Sequence, residues 1–110
     1  MLHGQDETIL PCLAMGGAQG GIGGTTNYNG KELTGILEAW AAGDLETARE
    51  RQNFSQEVIN VICRYRGNIV GGKRIMKLIG LDLGKNRTPF QNMTDAEETA
   101  MKAGLEATHF

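Results

Sequence analysis

The sequence has no run of about 18 apolar residues, so no segment is expected to span a membrane. It has no excess of positive charge either: 11 Lys and Arg against 13 Asp and Glu give a formal net charge of -2. A general polyanion binder needs a basic surface to neutralise phosphates, so nucleic acid is excluded as a partner. Met1-Leu2-His3-Gly4 has neither a charged leader nor an apolar stretch, so a signal peptide is not expected and a cytoplasmic location is. Cysteine is sparse. Cys12 and Cys63 fall in predicted helical segments and read as buried free thiols rather than a disulfide. His3 and His109 lack metal-ligand spacing with each other or with the cysteines, so no metal site is expected. G-x-G-x-x-G is absent, which excludes the dinucleotide fingerprint. No internal repeat or low-complexity linker occurs, and 110 residues allow one domain at most.

What the chain does have is glycine. Six of the nine residues 16–24 are glycine. Such density is costly unless a turn needs positive φ or the backbone must approach another group closely. Residues 20–26 are still compatible with a short buried strand, in which bare backbone leaves room for a ligand or a packed neighbour.

Around this segment the periodicity predicts helices. Asp6 is placed to cap a helix over residues 7–15, with Ile9, Leu10, Leu13 and Ala14 at helical spacing and Pro11 near its first turn. Asn29 caps the next, with Glu32 three residues on, and Leu33, Ile36, Leu37, Trp40 and Ala41 form one apolar stripe. Trp40 reads as packing. Asp44 caps a long helix over residues 45–66 whose buried face is Leu45, Ala48, Val58, Ile59, Ile62 and Tyr65. Gly67 ends it. A short helix is predicted over residues 72–79, then a loop through Pro89, then a last helix opened by the capping box Thr94-Asp-Ala-Glu97. A P-loop fit at residues 67–73 fails, because Arg74 stands where Mg²⁺ needs a hydroxyl and a helix precedes it.

One or two short strands among helices make an odd domain. A buried strand needs partners on both edges, and unpartnered buried backbone groups cost about 1–3 kcal/mol each. The chain therefore reads as part of a larger sheet.

Gly4-x-Asp6-Glu7, then Leu10-Pro11, then Gly17-Ala18-x-Gly20-Gly21-Ile22-Gly23-x-Thr25-x-Asn27 resembles the seventh and eighth strands of the N-acetylneuraminate lyase and dihydrodipicolinate synthase family. The likeness continues through Ala42-Gly43-Asp44-Leu45, Ala48-Arg49, Gly72-Lys73, Met76-Lys77-Leu78 and Asn86-Arg87-Thr88-Pro89. It implies an α/β fold: the last two strands of a (β/α)8 TIM barrel over residues 1–30, with their intervening helix, then a helical C-terminal region over residues 31–110. The fragment itself should be predominantly helical.

The resemblance also implies chemistry. Asp6 and Glu7 match the carboxylates with which sialic-acid-type lyases hold sugar-acid hydroxyls, and ionised carboxylates, acceptor-only, suit hydroxyl donors. Backbone around Gly4 and Ile22 would line the pyruvate pocket. Gly24 stands where those lyases carry a second hydroxyl-binding serine, a departure that leaves the sugar acid open. The family's Schiff-base lysine and assisting tyrosine match nothing here. Lys31, Lys73, Lys77, Lys85 and Lys102 fall in predicted helices or loops, and Tyr28 and Tyr65 lie outside the tyrosine motif. The chain alone is expected to be inactive, with no catalytic residue and no cofactor of its own. Its parent would cleave a sugar acid reversibly to pyruvate and an aldehyde, and a homo-oligomer is expected. The alternatives are a dihydrodipicolinate synthase-like or 2-keto-3-deoxy sugar acid aldolase or dehydratase fragment, or a non-catalytic helical module that oligomerises.

Overall fold

Five α-helices account for most of the chain in the computed structural model, which describes residues 1–108 and 110. A 3-10 turn, Asp6–Thr8, runs into α1 (Ile9–Ala14); α2 spans Thr26–Ala41, α3 Leu45–Arg64, α4 Gly67–Leu78 and α5 Asp95–Glu106. His109 lies outside the described residues.

The two expected strands contract to one isolated parallel bridge between His3 and Gly21. His3 N–H donates to Gly20 O at 2.9 Å, and Ile22 N–H returns to His3 O at 2.9 Å. Parallel pairing is what two segments joined through a helix can form. The second segment does not continue to Thr26 as expected. Thr26 Oγ1 donates to Gly23 O at 2.6 Å and Asn27 Nδ2 to Gly24 O at 2.9 Å, so side chains take the backbone partners and turn it into α2.

The contacts divide the chain into two units, Met1–Gln56 and Glu57–Phe110. In the first, Ile9, Leu10 and Leu13 of α1 pack with Leu33, Ile36 and Ala39 of α2 and with Ala48. The predicted stripe of α2 is half right. Trp40 is 37% exposed and Ala41 is exposed, and Ala39 takes the buried place. Helix α2 starts at Thr26, ahead of the expected cap at Asn29, and breaks at Asn29 (φ -120°, ψ 20°). Asn29 does not form the expected box with Glu32. Its Nδ2 donates to Ser55 Oγ at 3.2 Å, while Glu32 pairs with Arg51 Nη1 at 2.9 Å. Gly35 lets that arginine cross α2, since a Cβ there would lie 2.7 Å from Arg51 Cδ. Asp44 does cap α3, accepting Thr47 N–H at 3.0 Å. Leu45, expected to be buried, is 51% exposed.

In the second unit, Val58, Ile59, Val61 and Ile62 are buried, with Val70 and Ile75 of α4 and Met101 and Leu105 of α5. Helix α4 begins at Gly67, not at residue 72, so the P-loop-like stretch is helical. The chain reverses before it through Arg66 (φ 67°) and Gly67 (φ 73°). Gly71, inside α4, permits close packing rather than breaking the helix: a Cβ would come 2.8 Å from Ile62 Cγ2. Likewise a Cβ on Gly104 of α5 would lie 3.1 Å from Val61 Cγ1. The Thr94 and Glu97 capping box of α5 forms as predicted. Both cysteines are free, but neither is fully buried as expected: Cys12 is partly buried and Cys63 exposed.

Candidate functional site

The site expected from sequence lies where the first β segment ends. Gln5 is extended, and the 3-10 turn that follows carries Asp6 and Glu7. Two glutamines of α3, one helical turn apart, hold this turn by its backbone. Gln52 Nε2 donates to Asp6 O at 3.1 Å, and its Oε1 accepts Leu10 N–H at 2.9 Å. Gln56 Nε2 donates to Glu7 O at 2.8 Å. Two successive carbonyls are thus fixed from one helix face.

The two carboxylates meet different surroundings. Asp6 is only 4% exposed. It is not a helix cap. Its Oδ2 accepts Thr25 N–H at 3.0 Å and also the Thr25 hydroxyl. A Cβ on Gly23 would lie 2.1 Å from Asp6 Oδ1 and 2.3 Å from Oδ2, so the carboxylate fills the space that glycine leaves. Glu7 is only partly buried, and its Oε1 accepts Gln5 Nε2 at 3.3 Å.

The remaining residues lie in the open. Gly4 is exposed, with Ile22 O at 3.9 Å from where its Cβ would be. Ile22 is 67% exposed, and Gly24 is exposed. Side chains alternate along extended backbone, so Leu2 and Gly4 share one face of the bridge with Gly20 and Ile22. A Cβ on Gly20 would lie 3.5 Å from Leu2 Cδ2, on that face. On the other, a Cβ on Gly21 would meet Ile9 Cδ1 at 2.7 Å. A hollow of about 70 Å³ lies on this helix side, lined by Asp6, Ile9, Gly21, Thr26, Leu33, Thr34 and Leu37. It is too small for a sugar acid, since ligand pockets run to roughly 300–1,000 Å³. The opposite face, with Gly4 and Ile22, is exposed.

No lysine stands on the β segments. Lys31, Lys85 and Lys102 are exposed. Lys77 pairs with Glu98 at 3.0 Å, and Lys73 Nζ donates to Leu83 O and Lys85 O at 3.4 and 3.2 Å. Among the described residues, no three His, Cys, Asp or Glu side chains gather as a metal site would require. Nor is any helix among them long and apolar enough to cross a membrane.

The match to family models covers residues 1–108 and falls on the dihydrodipicolinate synthetase family. The chain belongs to this family. It is 36% identical over 103 residues to the N-acetylneuraminate lyase of Rhizobium meliloti, which covers 94% of this chain and 34% of that protein. The N-acetylneuraminate lyase of Proteus mirabilis superposes with a TM-score of 0.90 at 29% identity, over 99% of this chain and 36% of that one. The lyase of Fusobacterium nucleatum complexed with pyruvate superposes with a TM-score of 0.87 at 28% identity, covering 97% of this chain and 36% of its own. These relatives are TIM-barrel aldolases, and this chain spans about a third of their length. The bridged segments and the helices around them superpose on part of such a protein.

Gln52, Gln56 and Thr25 were not expected at the site. A signal existed for Gln52. It sits four residues after Ala48 and three before Ser55, on the face that continues to Ile59 and Ile62, and all five are buried. A glutamine in that seam has to find buried partners.

Proposed function

We propose that this chain is the C-terminal part of a Schiff-base aldolase of the sialic-acid lyase type, which cleaves a sugar acid reversibly to pyruvate and an aldehyde. It contributes the wall for the hydroxyl-bearing part of the substrate, formed by Gly4, Asp6, Glu7, Ile22 and Gly24. The Schiff-base lysine and its tyrosine come from outside these residues, so the chain alone is inactive. The parent is cytoplasmic and homo-oligomeric and needs no cofactor.

The observation that carries this reading is the pinned turn. Asp6 and Glu7 follow directly on a parallel-paired segment, and Gln52 and Gln56 hold their two carbonyls. TIM-barrel enzymes keep their sites at such strand ends. A carboxylate fixed there accepts hydroxyl donors strongly. The lyases among the relatives, and the neighbour complexed with pyruvate, support a sugar-acid substrate over other aldol chemistry. Gly24 offers only backbone, so the substrate hydroxyl nearest it is recognised without a side chain.

The test is a titration of the ¹⁵N-labelled chain with N-acetylneuraminate, followed by amide shifts. Movement of the Gly4, Glu7, Ile22 and Gly24 resonances, weakened by E7Q, is expected. Shifts confined to α4 and α5, or none at millimolar ligand, would contradict the reading.

A further inference from the structure

Asn-Gly ordinarily marks a turn, yet the one Asn-Gly step of this chain, Asn29-Gly30, lies inside α2. The step also carries a reaction. The peptide nitrogen after an asparagine can attack the side-chain amide carbon, and glycine, with no Cβ, hinders that attack least. We propose that Asn29 is a site of spontaneous deamidation, gated by the fold and released when the first turn of α2 opens. The Gly30 nitrogen bonds to Asn29 Cγ and gives up its proton, the Cγ–Nδ2 bond breaks, and ammonia leaves. Water then opens the cyclic imide at either carbonyl, giving aspartate or isoaspartate, with no oxidant or reductant involved.

Three features of the folded chain hold the reaction back. Asn29 is buried, away from the water that completes it. Its Nδ2 is engaged by the buried Ser55 Oγ at 3.2 Å, which fixes the amide that must swing toward Gly30. Its ψ of 20° turns the Gly30 nitrogen away from Cβ, whereas the ring closes only with the two eclipsed. The gate is nevertheless local. Because α2 breaks at Asn29, the turn ahead of it is not continuous with the helix behind. Thr26 and Asn27 in that turn are exposed, and their side chains fasten it only to Gly23 O and Gly24 O. A turn with few buried contacts opens before the unit as a whole unfolds. Nor does the fold require the glycine. Gly30 has no positive φ, and a Cβ there would meet no side chain nearer than Thr26 Cγ2 at 4.0 Å. The product sets a carboxylate where a donor amide was buried, which is costly, and isoaspartate also reroutes the main chain through Cβ. Either change loosens the start of α2, directly after the segment that carries Ile22 and Gly24.

The test holds the native chain, and the chain in denaturant, in mildly alkaline buffer. Each asparagine is followed by peptide mass spectrometry, and isoaspartate is scored with a protein isoaspartyl methyltransferase. In denaturant Asn29 should convert ahead of the other asparagines, none of which precedes glycine. In the native chain its conversion should be slower by roughly tenfold or more, because the reactive conformer is reached only by opening. S55A, which frees the amide, should raise the native rate several-fold and leave the denatured rate unchanged. G30A should fold and suppress conversion at Asn29 in both states. Should S55A fail to fold, the ratio of native to denatured rates and the G30A result still decide. Equal rates in the two states, another asparagine reacting first in denaturant, a native rate unmoved in folded S55A, or conversion undiminished in G30A would each overturn the proposal.

Discussion

Replacing Gly23 by alanine is expected to destabilise the first unit by about 1–3 kcal/mol, the usual cost of forcing a methyl into filled space. The neighbour it would meet is the Asp6 carboxylate, which cannot step aside while Thr25 and Gln52 hold it. Chemical denaturation of G23A measures this, and an unchanged midpoint would show that the carboxylate is not seated there. Arg74 makes the opposite case. It is buried, and its Nε has no hydrogen-bond partner among the described residues. An unmet buried donor carries a desolvation cost that an apolar residue of similar shape avoids. R74M is therefore expected to be neutral or to stabilise by ~1 kcal/mol, read as a denaturation midpoint that does not fall. At this scale the sequence was legible only locally. Asp6 looked like a cap because its nearest neighbours suited one, while its true partner, Thr25, lies 19 positions away. No local pattern announces such a contact, although Gln52 in the apolar seam of α3 was a readable warning.

Among elements, the caps were legible because their chemistry is local. Thr94 and Glu97 form the reciprocal box read from four residues, and T94A is expected to cost about 1 kcal/mol. Glu97 also accepts Arg66 Nη2 at 2.9 Å. That guanidinium, with the Thr94 amide behind it, holds the Glu97 carboxyl below its usual range. The Thr47 hydroxyl, then its amide, does the same for Asp44. A carboxyl lowered in the folded state contributes stability that is complete above its unfolded value and is lost as pH falls through its folded value. Acid titration of the chain below about pH 4 should therefore show a fall in denaturation midpoint that is shallower in a D44N, E97Q variant. An equally steep fall in the variant would assign the acid sensitivity elsewhere. Helix starts fared worse than caps. Gly72 looked like a boundary, yet α4 runs through it, and at Gly71 beside it glycine serves the close approach of Ile62. Glycine as a breaker and glycine as a packing surface are the same letter, and only the neighbour distinguishes them.

For the molecule as a whole, the order of short motifs identified the barrel family although none was strong alone. The chain's helical bias was legible too; what could not be read was that the two β segments would meet at a single bridge. A strand is a property of pairing, and here one bridge is all that two segments make. Leu2, 60% exposed, and Ile22 stand on the face of that bridge with open backbone edges beside them. Unpaired edges with apolar faces favour association. Light scattering is expected to give a mass that rises with concentration, and L2K should lower it; a monomer at every concentration would count against open edges. As proposed, these residues form the substrate wall of an aldolase whose lysine lies outside them. Incubation with pyruvate and sodium borohydride, followed by intact mass measurement, tests it most directly. The chain should emerge with its mass unchanged, and a stable pyruvyl adduct on any of its lysines would contradict the account.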